Sequence, residues 1–276
     1  MYTFNLIYPN LSDIPFHAMV FPDGQPHVKL KMEAIKALDR ATPVRILSRL
    51  SHANDLMTVL FVKNTLDYLE FEHVELHVSY LLAARMDRVM LDGEPFSLKV
   101  VAQVLNQAQF RKVKIFDPHS EVSTALIDRS YAVSNHTFVQ GALKDFGVEP
   151  YCLVSPDAGA LKKIHKLASF LGAAEVVECM KERDLRTGAL THFKTTADDL
   201  EGKTCVIVDD ICDGGGTFAG TAALLKGKGA AMVVLVVSHG IFSKGPVIDG
   251  IDKIYTTDSY RLVEGVHTFP ISNFLL

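Results

Sequence analysis

Cysteine is scarce in this chain, long apolar runs are missing, and neither sign of charge dominates. Four cysteines stand among 276 residues. They are Cys152, Cys179, Cys205 and Cys212, and none has the Cys-x-x-Cys spacing of a zinc ribbon or redox pair. Three fall in or beside expected strands, so they read as buried thiols in a reducing, cytoplasmic setting rather than as disulfides or zinc ligands. The longest apolar runs, such as Met232 to Val237, fall far short of the roughly 20 residues that cross a bilayer. The opening Met1-Tyr2-Thr3-Phe4-Asn5 has no basic segment followed by an apolar core, so no signal peptide is expected. A net charge of −4 gives no general attraction to nucleic acid, although local basic clusters remain able to bind phosphate. No low-complexity segment or Pro/Ser-rich linker interrupts the chain. Membrane and nucleic-acid partners are thereby set aside. What remains is the composition of a globular enzyme, 48% hydrophobic and 22% charged. The length suits one large domain or two of about 135 residues.

The most informative stretch runs from Val206 to Thr217, Val-Ile-Val-Asp-Asp-Ile-Cys-Asp-Gly-Gly-Gly-Thr. Its β-branched start reads as a buried strand. Asp209 and Asp210 stand at the strand's carboxyl end, where carboxylates can accept hydrogen bonds from a ribose 2′,3′-diol. Gly214, Gly215, Gly216 and Thr217 follow, and Phe218, Ala222 and Leu225 begin a helical pattern at once. Glycines let backbone N–H groups close around a phosphate, and the helix dipole favours its charge. No lysine follows the glycines, so this is not a Walker loop.

The rest of the chain alternates expected strands and helices, the pattern of parallel sheets in an α/β fold. Strands are expected at 43–47, 74–82, 113–116, 152–154, 175–180, 231–237 and 254–257. Leu56, Val59, Leu60, Lys63, Leu66 and Leu69 give the helix 54–69 an apolar face with one charged interruption. Glu94-Pro95 is expected to start a helix whose stripe is Phe96, Val100, Val101, Val104 and Leu105. Another helix carries Leu161, Ile164, Ala168 and Leu171 inward. Polar residues gather after strand ends, where open α/β sheets bind ligands. Arg85 and Arg88 suit a polyphosphate, since guanidinium forks bind phosphate oxygens in pairs. His119 suits a metal or a phosphate oxygen, and Asp157 suits Mg²⁺, directly or through water. Lys181, Arg183 and the polar stretch 185–201 read as a mobile flap or hairpin that brings positive charge over a bound nucleotide. Each stretch also has a plain structural reading: a turn at Phe21 to Pro26, a solvated charge cluster at Arg85 to Arg88, helix capping by Ser155 and Asp157, an exposed hairpin at 185–201.

In order, FPDGQ (21–25), ARMDR (84–88), EPFSLKVVAQVL (94–105), DPHS (117–120), SPDAGALKKIHKLASFLGA (155–173), KER (181–183), VIVDDICDGGGT (206–217) and SHGIFS (238–243) resemble the motif series of the ribose-phosphate pyrophosphokinases, also called phosphoribosyl-diphosphate synthetases. The resemblance runs from Phe21 to about Asp258. It implies two phosphoribosyltransferase-like domains, 1–137 and 138–276, each with a mainly parallel sheet flanked by helices. The first would supply much of the ATP site, the second the sugar-phosphate site and the catalytic flap. It implies Mg²⁺ as cofactor, ATP and a ribose phosphate as substrates, and a homo-oligomer, either a dimer or dimers within a hexamer. Phe21, Asp23 and Gln25 would contact adenine. Arg85, Met86, Asp87 and His119 would line the ATP site, and His119 and Asp157 would serve the Mg²⁺. Lys181 and Arg183 would stabilise the transition state. Asp209 and Asp210 would hold the ribose diol, with Asp213, Gly214, Gly215, Gly216 and Thr217 around the 5-phosphate. Asp213 would also assist deprotonation.

Four departures stand out from the resemblance. Gln25 and Met86 replace the usual Glu and Gln, the region before Phe21 is short, and Gly214 replaces Thr. Loss of the hydroxyl at 214 removes a phosphate contact worth roughly 1–3 kcal/mol and opens the loop to a substituted phosphate. ADP-ribose, converted to its 1-diphosphate for NAD synthesis, is therefore an alternative acceptor. A base phosphoribosyltransferase would share the glycine loop without the motifs of the first half. A non-catalytic regulatory homologue would not need the flap pair.

Overall fold

The computed structural model describes residues 1–147, 149–172, 175–183 and 190–276, with the backbone alone at 181–183 and 190–192. The chain divides into two compact units, Met1–Ser134 with Leu275–Leu276, and Asn135–Phe274.

The first unit contains β1 (Tyr2–Asn5), β2 (Phe16–Val20), β3 (Pro26–Leu30), α1 (Met32–Ile35), β4 (Val44–Ser48), α2 (Ala53–Tyr68), β5 (Val74–Val78), α3 (Ser97–Gln107), β6 (Lys112–Phe116), α4 (Val122–Leu126) and β7 (Ser130–Val133). β1-β4-β5-β6-β7 is a parallel sheet in that order. β2 and β3 form a separate antiparallel hairpin. All five residues of β5 are buried, as a central parallel strand covered on both faces requires.

The Asp55 carboxylate accepts hydrogen bonds from the backbone N–H groups of Ser51 and His52, both at 2.8 Å, and fixes the start of α2. The helix lays Leu56, Val59, Val62 and Leu66 into a core with Phe4, Ile46, Leu76 and Ile115. Lys63, the charged interruption on that face, buries its stem and donates to Asp67 Oδ1 at 2.7 Å. Its ammonium lies 5.7 Å from the Phe110 ring centre. The apolar stem thus packs while the charged head finds partners.

Two expectations for α3 are corrected. The helix starts at Ser97 rather than at Glu94-Pro95, with Phe96 at its N-cap. Glu94 instead closes the preceding turn, its carboxylate accepting from the Leu91 N–H. Val100 is 58% exposed, and the buried stripe is Leu98, Val101, Ala102 and Leu105. These positions follow the i, i+3, i+4, i+7 rule from Leu98.

The second unit contains α5 (His136–Phe146), β8 (Tyr151–Ser155), α6 (Leu161–Leu171), β9 (Val176–Arg183), β10 (Leu190–Thr195), β11 (Thr204–Cys212), α7 (Gly216–Gly227), β12 (Met232–Gly240), β13 (Lys253–Thr257) and β14 (His267–Phe269). α8 (Ser272–Leu275) ends the chain. The sheet order is β10-β9-β8-β11-β12-β13-β14. Every pairing is parallel except β9 with β10. That pair is a hairpin with an irregularity between Thr191 and Lys194; its connection, 184–189, lies outside the described residues. Phe218, Ala222 and Leu225 of α7 pack with Cys205 and Ile207 of β11 and with Val233, Leu235 and Val237 of β12. Val206 and Val208 are also buried, so β11 is covered on both faces.

The four cysteines are free and buried. Cys152 and Cys205 are register partners on β8 and β11, with their sulfurs 3.4 Å apart. Among the described residues no helix is long and apolar enough to cross a membrane.

Candidate functional site

β11 is the middle strand of the second unit's sheet, and its carboxyl end carries the acid pair. The Asp209 carboxylate accepts the Asp210 N–H at 2.9 Å. Burial, the neighbouring charge of Asp210 and that of Asp157 together push the Asp209 carboxyl well above the ordinary carboxylate range. Asp157 follows β8, which pairs directly with β11. Its Oδ1 accepts the Ala160 N–H at 3.0 Å, and Ser155 Oγ donates to the Asp157 carbonyl. The capping reading is corrected: α6 has Ala160 at its N-cap and no side-chain cap, Asp157 accepts within the turn that precedes the helix, and Ser155 donates to a carbonyl and so caps no N–H. Three carboxylates thus share one edge of the sheet, with an excess of negative potential that suits hydroxyl donors or a divalent cation. Among the described residues no cluster of three or more His, Cys, Asp or Glu side chains is close enough to hold a metal unaided. Mg²⁺ is ordinarily held by one or two carboxylates with substrate phosphates completing the shell, and Asp157 is a fitting oxygen donor.

Cys212 lies beneath the loop. Burial first, then the charges of Asp209 and Asp213, push its thiol up to about 12. It remains protonated at neutral pH and is not a nucleophile.

The two glycines before α7 differ. Gly215 is the N-cap, with φ of +76°, and an added Cβ would lie 3.1 Å from the Ile248 side chain. This position requires glycine. Gly214 has no such backbone need: the three atoms nearest to an added Cβ are methylene carbons of Lys244, at 3.6–3.9 Å. α7 then begins with no side-chain cap and no acidic residue in its first turn. The turn presents its N-terminal N–H groups and its positive dipole end to an anion. Gly215→Ala is expected to destabilise the protein by about 1–2 kcal/mol, from the left-handed backbone, and to raise the Michaelis constant of a phosphorylated substrate. A urea melt with unchanged slope and a lower midpoint, alongside substrate titration, checks both effects.

The segment after β12 folds back onto this loop. Ile241 and Phe242 donate their N–H groups to the Cys212 carbonyl, and Ser243 donates to the Asp213 carbonyl. Arg261 donates to the carbonyls of Ile241 and Phe242. An added Cβ on Gly240 would lie 2.3 Å from the Phe242 ring and 2.8 Å from Thr256 Oγ1, so glycine is needed for Phe242 to enter the core. Ser238 and His239 belong to a buried polar network: Thr257 Oγ1 and Ser259 Oγ donate to the Ser238 carbonyl, and His239 Nδ1 lies 2.7 Å from Ser259 Oγ. Sequence reading missed Lys244 and Arg261. Lys244 directly follows SHGIFS (238–243), which was the available signal for it; Arg261 had none.

In the first unit the remaining expected residues gather at the carboxyl edge of neighbouring strands. Phe21, Asp23 and Gln25 form the exposed turn of the β2–β3 hairpin. Asn54, at the start of α2 after β4, donates to the Gly24 carbonyl at 2.9 Å and ties the turn to that edge. Gln25 Nε2 donates to Asp23 Oδ2 at 3.0 Å. A glutamate at 25 would set two carboxylates against each other here; the amide makes a bond instead. Arg85, Met86 and Asp87 follow β5, and the Leu98 N–H donates to the Met86 carbonyl, joining this segment to α3. Arg85 and Met86 are exposed, while Asp87 is half-buried and lies 3.7 Å from Arg88 Nε. His119 is exposed after β6. Beside it, Ser120 Oγ is buried without a hydrogen-bond partner among the described residues. Lys181 and Arg183 lie on β9, with side chains outside the description.

The sequence profile of the phosphoribosyl transferase domain matches residues 128–269. The ribose-phosphate pyrophosphokinase of Mycoplasmopsis pulmonis is 29% identical over 261 residues, covering 89% of this chain and 77% of that protein. That of Pyrococcus abyssi is 27% identical over 232 residues, covering 82% and 76%. The crystal structure of phosphoribosylpyrophosphate synthetase from Mycobacterium smegmatis superposes with a TM-score of 0.80 at 22% identity, covering 97% of this chain and 89% of that one. That likeness carries the fold, and the alignments extend over both units. The chain belongs to the phosphoribosyl transferase domain family, and within it to the ribose-phosphate pyrophosphokinases.

Proposed function

We propose that the protein transfers the β,γ-diphosphate of Mg·ATP to the anomeric 1-hydroxyl of a ribose 5-phosphate-type acceptor and releases AMP. The observation that carries this reading is one continuous segment, Asp209 to Thr217. In it a carboxylate pair at a strand end is joined through the left-handed Gly215 to an uncapped helix N-terminus. Such a segment can hold a ribose diol by its acids and a 5-phosphate by its N–H groups, leaving the anomeric hydroxyl free to react.

In the reaction the anomeric oxygen forms a bond to the β-phosphorus. The bond from that phosphorus to the α,β-bridging oxygen breaks, and AMP departs with the electron pair. The hydroxyl proton is lost to solvent with help from Asp213. Asp209 and Asp210 accept hydrogen bonds from the diol, and Asp213 to Thr217 surround the 5-phosphate. Phe21, Asp23, Gln25, Arg85, Met86, Asp87 and His119 serve ATP. His119 and Asp157 would serve Mg²⁺, which, when bound, neutralises charge on the transferring phosphates. Lys181 and Arg183 meet the charge that develops at transfer. Positioning and electrostatics carry such a reaction. The working form is a homo-oligomer.

Gly214 favours a second acceptor, ADP-ribose, because the nearest atoms to its Cβ position belong to a flexible lysine stem. The test is AMP formation from Mg·ATP without any nucleobase, with ribose 5-phosphate and ADP-ribose in parallel and products identified by mass. The expected result is turnover with ribose 5-phosphate. Turnover with ADP-ribose alone transfers the assignment to the larger acceptor. No AMP from ATP, but nucleotide and diphosphate from phosphoribosyl diphosphate and a nucleobase, overturns the reading in favour of a base phosphoribosyltransferase.

A further inference from the structure

We infer that Lys244 is a specificity-determining residue that binds the acceptor's 5-phosphate in place of a side chain at position 214. The inference rests on the proposed site and names a residue that the resemblance does not supply. Three observations carry it. Cδ and Cε of Lys244 each lie 3.6 Å from the Cβ position of Gly214, so the lysine stem covers the face of the loop that glycine leaves bare. The backbone at 214 does not need glycine, whereas Gly215 beside it does. The lysine is also held in place: the Ser243 N–H bonds the Asp213 carbonyl, the Gly245 N–H closes a turn on the Phe242 carbonyl, and Arg261 pins the carbonyls of Ile241 and Phe242.

The charge argument points the same way. Lys244 is exposed, and among the described residues its ammonium has no carboxylate partner. A long stem anchored beside a glycine turn, with three rotatable donors at its end, can follow a phosphate oxygen as a point charge. A hydroxyl on a short side chain at 214 would instead reach that oxygen from the loop itself. The two devices would serve the same phosphate and be interchangeable.

The test uses the full chain with ribose 5-phosphate as titrant and as substrate. Lys244→Met keeps the apolar stem and removes the charge. It is expected to raise the ribose 5-phosphate Michaelis constant about tenfold, the size of a lost charge-assisted hydrogen bond at an exposed site, with kcat little changed. Calorimetric binding of ribose 5-phosphate should weaken equally, and Lys244→Arg should restore most of both. In a Gly214→Thr background, Lys244→Met should cost less than about twofold, because the threonine hydroxyl takes over the contact. An unchanged Michaelis constant and binding constant in Lys244→Met overturns the inference. So does a fall in kcat without a change in binding. If the wild-type protein forms no AMP with ribose 5-phosphate, the proposed function fails, while the binding comparison between wild type and Lys244→Met still decides the role of Lys244.

Discussion

Asp209→Asn is expected to raise the melting temperature of the protein while lowering its kcat/KM by about ten- to a hundredfold. The stability gain follows from the position of the side chain. Asp209 is pushed up by burial first and by Asp210 and Asp157 next, so its proton is held more tightly in the folded chain than in the unfolded one. The folded state then carries the extra proton between the ordinary carboxylate pKa, about 4, and the raised folded value. Stability from this group is lost as pH climbs through that window, so at neutral pH keeping this carboxyl in its site is a net cost. Asparagine keeps the shape and removes the charge. The melting curves of wild type and variant should converge near pH 4 and separate above it, with the variant higher. The loss of activity follows from the same change: the amide replaces a carboxyl oxygen that can accept from the ribose diol with an NH2 group that can only donate, and a lost hydrogen bond to a group that can carry charge is worth about 1.5–3 kcal/mol. A variant that melts lower than wild type at neutral pH would show that the carboxylate makes a stabilising contact, against the strained-site account.

The larger kinetic effect is expected at Lys181 and Arg183. Replacing either with alanine should lower kcat by about a hundred- to a thousandfold, the usual cost of removing one donor from a developing charge. The acceptor's Michaelis constant should stay within a few-fold. The strand pairing supports the placement. β9 runs parallel to β8, with Ser155 in register with Glu178, and β8 ends at Ser155. β9 therefore continues past the sheet edge that bears Asp157 and the acid pair. At about 3.3 Å per residue, its backbone at 181 and 183 lies roughly 10–17 Å beyond the last paired residue. Charges that act only at transfer lower kcat, whereas charges that hold the ground state raise KM. A large rise in KM with kcat preserved would make the pair ATP- or acceptor-binding residues and remove them from the catalytic step.

How far these features could be read in the sequence depended on how local their causes are. β11, its glycine turn and α7 were legible together, because a β-branched run, an acid pair and a helical stripe of Phe218, Ala222 and Leu225 are all contiguous. The core face of α2 was legible for the same reason, including Lys63, whose partner Asp67 sits one turn along. α3 was misread at its start because Pro95 suits a first helical turn equally well as the turn that precedes one. Starting the stripe too early put the exposed Val100 inside. The β2–β3 hairpin was read only as its turn, since β2 is mostly exposed and gives no alternating signal. β7 escaped for a similar reason: it is a short edge strand with no buried residue. Lys244, although it directly follows SHGIFS, was not read together with the glycine turn, because its contact with Gly214 joins positions far apart in the chain.

The measurement that tests the central claim most directly is phosphorus NMR of the reaction between Mg·ATP and ribose 5-phosphate, without a nucleobase. The account expects the β and γ phosphorus atoms to move together, giving a coupled diphosphate on the anomeric carbon and one AMP for each product formed. ADP with a sugar bisphosphate whose 1-phosphate is uncoupled, or no transfer at all, would contradict it.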